Sequence, residues 1–154
     1  MDDTTTITSV ARLEPHECWA QLRTSTLGRL AVVVDQKPDI LPVNYVVDHG
    51  GIVFRSDVGT KLSAMLDRPF VAFEVDGQDG EICWSVVVKG RARQIRGLHK
   101  SVDLAELPVY PQHAGSKSNF IELMVDEISG RRFAQADPTV WATALTGLSR
   151  SASE

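Results

Sequence analysis

Five short apolar segments follow one another between Leu30 and Ile95, separated mostly by turn-forming residues, and this spacing most constrains the fold. Leu30 to Val34 is an almost unbroken apolar run, the pattern of a strand covered on both faces. Asp35-Gln36-Lys37-Pro38-Asp39 supplies turn chemistry, and Ile40 to Asp48 returns as a second strand. His49-Gly50-Gly51 makes another tight turn, its glycines free to take positive φ. Ile52 to Arg55 is a third strand, Phe70 to Val75 a fourth and Ile82 to Ile95 a long fifth. Alternation along the fifth sets Trp84, Val86, Val88 and Ala92 on one face and Ser85, Lys89, Arg91 and Arg93 on the other. Asn119 to Ile128 is a sixth.

Helices are few and short. Glu14-Pro15-His16-Glu17 is a helix start, with proline at the first helical position and a carboxylate in the first turn. Cys18, Trp19 and Leu22 give that helix an apolar face. Leu62, Met65 and Leu66 repeat at helical spacing until Asp67-Arg68-Pro69 ends the second helix. A third is expected around Lys100 to Glu106, before a proline-rich loop. Six strands with so little helix predict a mainly β domain, an antiparallel barrel closed or partly closed so that apolar edges are not left bare. Residues 11–136 form this domain; residues 1–10 are polar and expected to be disordered, as in part is the extension 137–154.

Composition narrows the function classes. The 154 residues suffice for one domain with a core that needs no disulfide, and Cys18 and Cys83 stand far apart without a metal-binding spacing. Lys and Arg are scattered and the net charge is −4, which argues against a nucleic-acid surface. No secretory pattern opens the chain and no apolar run reaches membrane-spanning length, so a cytoplasmic protein without a membrane partner is expected. The four histidines show no ligand spacing, so no metal is expected, and no GxSxG elbow marks a hydrolase.

One constellation carries chemistry. The third strand ends in Arg55-Ser56 and runs into the helix opened by Gly59-Thr60-Lys61. Helix N-terminal amides, two hydroxyls and two cations converge there, a combination suited to a phosphate. The bland alternative is that Arg55 and Lys61 only solvate a strand end while Thr60 caps the helix. Spacing alone leaves both open.

GRLAVVV, then PDILPVNYVVDHGGIVFRSDVGTKLSAM, then CWSVVVKGRAR resemble the pyridoxamine 5′-phosphate oxidase-like family of FMN-binding split barrels, in its small flavin-nucleotide-binding, nitroimidazole-resistance-like branch. The likeness covers residues 13 to 133 in order. It implies a six-stranded antiparallel split β-barrel with short flanking helices. It also implies that Arg55, Ser56, Thr60 and Lys61 hold the FMN phosphate. Pro42, Val43, Asn44 and Tyr45 would lie along the isoalloxazine ring and bond its edge through backbone groups. Trp84 and Ser85 would reach the ring or ribityl chain from the neighbouring subunit, and Arg131, in Gly130-Arg131-Arg132, would face the cofactor. A homodimer with flavin at its interface and flavin-linked redox chemistry on a small-molecule substrate follow from the same likeness. A non-enzymatic flavin carrier or sensor is the alternative.

Some relatives of the fold take a deazaflavin coenzyme or haem, and Arg29, Arg55 and Lys61 are few cations for a polyanionic tail. The sequence after Arg132 lacks the arginine-and-histidine substrate segment of pyridoxamine phosphate oxidases proper, which argues against vitamin B6 oxidation. No catalytic acid or base is identified: Tyr45 is a conceivable proton donor, but strand alternation favours packing.

Overall fold

The computed structural model describes residues 10–56, 60–95 and 119–135, and of Ser56, Thr60, Lys61 and Asn119 the backbone alone. The expected helix at Lys100 to Glu106, the proline-rich loop and most of both terminal segments lie outside these residues. Among the described residues, no helix is long and apolar enough to cross a membrane.

Two-residue turns set most of the sheet. Asp35 and Gln36, at φ 50° and 64°, join β2 (Leu27–Val34) to β3 (Lys37–Asp48) in the geometry that matches right-handed strand twist. His49 and Gly50, at 45° and 74°, do the same between β3 and β4 (Gly51–Ser56). Gly80, at 62°, opens the turn between β5 (Phe70–Asp79) and β6 (Ile82–Gln94). Each turn fixes a register: Val34 opposite Lys37, Asp48 opposite Gly51, Asp79 opposite Ile82.

Closure falls to β7 (Asn119–Ala134), which pairs with β4 along its first half and with β6 along most of its length. The order β7-β4-β3-β2-β5-β6 returns to β7, giving the predicted six-stranded antiparallel barrel. Its wall is thinnest between β2 and β5, which pair only where Arg29 to Ala31 face Ala72 to Glu74. The register shifts at Lys89/Gly90, where Lys89 faces Glu127 and Gly90 faces Val125, so Asp126 is the extra residue of a bulge in β7. A Cβ on Gly90 would stand 1.9 Å from the Met124 carbonyl oxygen, so only glycine allows this approach.

Four features depart from the sequence expectations. Strand β3 already begins at Lys37, inside the stretch Asp35 to Asp39 expected to turn, because Lys37, Pro38 and Asp39 pair with Val34, Val33 and Val32. A seventh strand, β1 (Ala11–Leu13), pairs with the end of β7; only Leu13 of it is buried, so it gives no alternating signal. Strand β7 runs on through Gly130-Arg131-Arg132, and β5 through polar Asp76 to Asp79, because each has a long partner in β6. Strand β2 is not covered on both faces: Leu30 and Val32 are buried, while Val33 keeps 38% of its surface.

Both helices pack into the barrel core, although Leu66 of the second apolar repeat stays exposed. In α1 (Pro15–Leu22), the Glu14 N–H donates to the Glu17 carboxylate at 2.8 Å, satisfying a first-turn amide. Cys18 and Leu22 point inward, and a Cβ on Gly130 would meet Cys18 Sγ at 2.7 Å. Burial, with Glu17 adding to it, pushes the Cys18 thiol up, consistent with a packing cysteine. From α2 (Thr60–Asp67), Leu62 and Met65 enter the same core as Tyr45, Phe54, Phe73 and Leu123. Each such side chain contributes roughly 1.5–3 kcal/mol on full burial.

Candidate functional site

Strand β3 changes partners midway, and that creates an open edge. Its C-terminal half, Tyr45 to Asp48, pairs with β4, while Lys37 to Asn44 pair with β2 alone among the described residues. The Tyr45 N–H donates to the Thr26 carbonyl at 2.9 Å. Alternation therefore aims the backbone groups of Val43 and Leu41 at β2, and those of Asn44, Pro42 and Ile40 at the open side. The Ile40 N–H, lacking a ladder partner there, takes the Asp39 carboxylate at 2.9 Å. Pro42 sits where a missing N–H breaks no ladder bond. A strand edge with an amide and carbonyls turned outward can receive the polar rim of a planar ring.

Arg55 stands beside this edge. One register step beyond the Tyr45–Phe54 pair, it shares the outer face of the wall with Asn44. Its guanidinium lies 5.5 Å from the centroid of the Phe120 ring, its cross-strand neighbour on β7. That contact orients the arginine. Ser56 ends β4, and α2 begins at Thr60-Lys61 after three residues. Backbone geometry thus brings Arg55, Ser56, Thr60 and Lys61 to one end of the barrel; the side chains of the last three lie outside the described residues.

The remaining predicted residues gather elsewhere. Trp84 and Ser85 on β6 stand directly opposite Arg132 and Arg131 on β7. Ser85 and Arg131 share the outer face. From Arg131 to Arg55 the path round the wall crosses β6, β5, β2 and β3, so Ser85 and Arg55 lie four strand spacings apart, roughly 19 Å. Between them sits an ion-paired cluster: Arg29 Nη2 to Asp76 Oδ1 at 2.7 Å and Arg29 Nε to Glu74 Oε2 at 3.3 Å. Burial, and then the neighbouring Asp76 charge, raise the Glu74 carboxyl. This cluster is net acidic, and it commits Arg29, one of the cations considered for a polyanionic tail.

Two predicted side chains belong to the core instead. Tyr45 is buried, donates its hydroxyl to the Leu22 carbonyl at 2.5 Å and meets Phe73 edge to face at 4.9 Å. Burial pushes its phenol up to about 12, only partly offset by the Ser25 hydroxyl, so it is a poor proton donor, and its N–H is taken by Thr26 on the β2 side and not offered to the open edge. Trp84 also turns inward, its ring lying where a Cβ of Gly77 would be, 2.5 Å from that position. The expectation that Trp84 reaches toward a neighbouring subunit fails because even-numbered residues of β6 face the core. Val43 is half-buried against the same core.

Sequence comparison decides the relationship. Residues 14–132 match the family described as pyridoxamine 5′-phosphate oxidase. The chain belongs to that family. Among solved structures, an FAD-binding protein of Mycobacterium smegmatis is 33% identical over 82% of this chain and 100% of its own, with a TM-score of 0.72. An FAD-binding protein of Mesorhizobium loti is 26% identical over 81% of this chain and 99% of its own, with a TM-score of 0.67. A flavocytochrome of Azotobacter vinelandii, 16% identical over 85% and 74% with a TM-score of 0.64, shares the fold. No curated protein gives a significant match.

Within this family's barrel, one residue escaped the sequence reading. Arg12 lies on β1 directly opposite Arg131. Its segment carries no alternating pattern, so nothing local marked it; the register of β7 alone reveals the pairing.

Proposed function

We propose that this chain binds a flavin nucleotide, FMN in the first instance, as a homodimer, and serves as a flavin-dependent oxidoreductase acting on a small molecule. The observation that carries the reading is the junction of β4 and α2. Arg55, next to Asn44 on the outer face, comes one residue before Ser56, where β4 ends, and α2 opens at Thr60. This supports a reading in which an anion at the junction and a polar ring rim on the β3 edge belong to one nucleotide. Membership in the pyridoxamine 5′-phosphate oxidase family supports the flavin, as do FAD-binding relatives at 33% and 26% identity. A bound flavin supplies hydride or single-electron transfer. The protein's part is to clamp the phosphate with Arg55 and Lys61 and to hold the ring edge with Asn44 N–H and Pro42 C=O. No described side chain is assigned a proton-transfer role.

The outer face of the wall supports the dimer. Leu27, Val33, Ile40 and Phe70 project from β2, β3 and β5 with 51%, 38%, 64% and 72% of their surfaces exposed, more apolar patch than an isolated barrel needs. A two-fold axis along the strands, over the seam of β2 and β5, would set β3 of one copy above β6 of the other. Arg29 would then face the partner's Glu74, and Asn44 and Arg55 would face Ser85 of the partner subunit and Arg131 of the partner subunit. Such a pairing joins the two groups of predicted residues into one site without crossing the acidic cluster.

Titration with FMN, followed by flavin fluorescence, tests the site. Lys61→Ala and Arg55→Ala should each weaken FMN binding at least tenfold, the scale of a lost charge-assisted bond. Riboflavin, lacking the phosphate, should bind the variants and the wild type alike. Unchanged FMN affinity in both variants refutes the phosphate assignment. Oxidation of NAD(P)H by the flavin-loaded protein with quinone or nitro acceptors separates an oxidoreductase from a carrier, which gives no turnover.

A further inference from the structure

We infer that Arg12, Arg131 and Ser85 form a second oxyanion site on the outer face of the barrel, suited to a phosphate group. Register alone brings the three together: Arg12 on β1 is opposite Arg131 on β7, which is opposite Ser85 on β6. Directly opposed residues in antiparallel strands project to the same face. That face is the outer one. Leu13 and Gly130, the next pair along, turn inward against Cys18, and Trp84 and Val86 on either side of Ser85 are buried. Both guanidiniums are exposed and Ser85 is half-buried between the strands.

Ion pairing separates this pair from three other arginines of the barrel surface, though not from Arg23, Arg68 or Arg132. Arg29, Arg91 and Arg93 each hold a carboxylate, at 2.7, 3.5 and 2.6 Å from Asp76, Asp126 and Glu122. Among the described residues, Arg12 and Arg131 have no such partner. What sets Arg12 and Arg131 apart is that they stand directly opposite each other, where like charges repel, without the counter-charge that Arg29, Arg91 and Arg93 have. A phosphate between the two forks would supply it, accepting up to two hydrogen bonds from each guanidinium and one from the Ser85 hydroxyl. The proposed flavin site lends this one its significance, since Ser85 and Arg131 also belong to it. Arg12 adds a cation that a single phosphate on Arg55 and Lys61 does not need. The oxyanion has two sources: the second phosphate of a dinucleotide flavin, or a phosphorylated small molecule.

Full-length Arg12→Gln and Arg131→Gln, with Arg91→Gln as an ion-paired surface control, separate these sources. Each is titrated with riboflavin, FMN, FAD and inorganic pyrophosphate, by fluorescence for the flavins and calorimetry for pyrophosphate. If the dinucleotide is the source, Arg12→Gln weakens FAD about tenfold and leaves FMN within twofold of wild type. If a separate phosphate is the source, both flavins are unaffected and pyrophosphate binding falls about tenfold. Either result supports the site, the second even where no flavin binds at all. Loss no greater than in Arg91→Gln for FAD and pyrophosphate alike overturns it, whether or not FMN still depends on Arg55.

Discussion

The inner and outer faces of the same strands tell different stories from similar residues. On β2 and β5, Leu30, Val32, Val71 and Phe73 point inward and keep 8% of their surface or less. Val33 and Phe70, on alternate positions of those strands, point outward and keep 38% and 72%. Ile40 of β3 joins them at 64%. Hydrophobicity does not distinguish the two sets. One is sealed by the chain's own barrel closure, whereas none of the described residues seals the other. An apolar run thus records how much burial a strand seeks, while what supplies that burial is a separate matter.

Substitutions on the two faces should therefore diverge. The largest effect is expected inside. Phe73 meets Tyr45 edge to face, and its ring lies 2.2 Å from where a Cβ of Gly28 would be, so no neighbour can fill its place cheaply. Phe73→Ala should cost roughly 3–5 kcal/mol in urea unfolding, with fluorescence as the readout. A loss below 1 kcal/mol would contradict this packing.

Outside, Phe70→Asp should change the stability of the isolated barrel by only about 0.5 kcal/mol. In sedimentation equilibrium it should raise the dimer dissociation constant roughly a hundredfold, as expected for a central aromatic contact. A wild-type chain that is monomeric at all concentrations, or a dimer indifferent to this change, would show that the outer face serves another purpose.

A smaller effect sharpens the inner half of the comparison. Burial raises the Tyr45 phenol from 10.0 to about 12. Because the folded value lies above the unfolded one, this stability is complete below pH 10 and is lost as pH rises through 12, on the order of 2 kcal/mol in all. Melting temperatures from pH 9 to 12 should fall more steeply for wild type than for Tyr45→Phe. Parallel curves would mean that the phenol is not sealed in the core.

The six principal strands, the start of α1 at Glu14-Pro15 and the existence of turns within Asp35 to Asp39 and His49 to Gly51 were legible because each rests on neighbours in sequence, although the turns themselves are only Asp35-Gln36 and His49-Gly50. Alternation along β6 likewise predicted which residues face inward, and here it overruled the role that family likeness implies for Trp84. The junction of Arg55-Ser56 with Thr60-Lys61 was legible for the same local reason: a strand end, a short link and a helix start. Strand β1 was not legible, since Ala11 to Leu13 become a strand only by pairing with residues 130 to 132.

What the sequence determined by itself is the set of strands, the residues that turn between them and the inward face of most of them, all properties of local sterics and period. Tertiary structure decided which strands became neighbours. It set Arg12 beside Arg131 and Ser85, opened the edge of β3 at Asn44 and left Phe70 and Ile40 outside. Those outcomes depend on register between segments far apart in the chain, where a shift of one residue reverses every face and no local pattern fixes the partner.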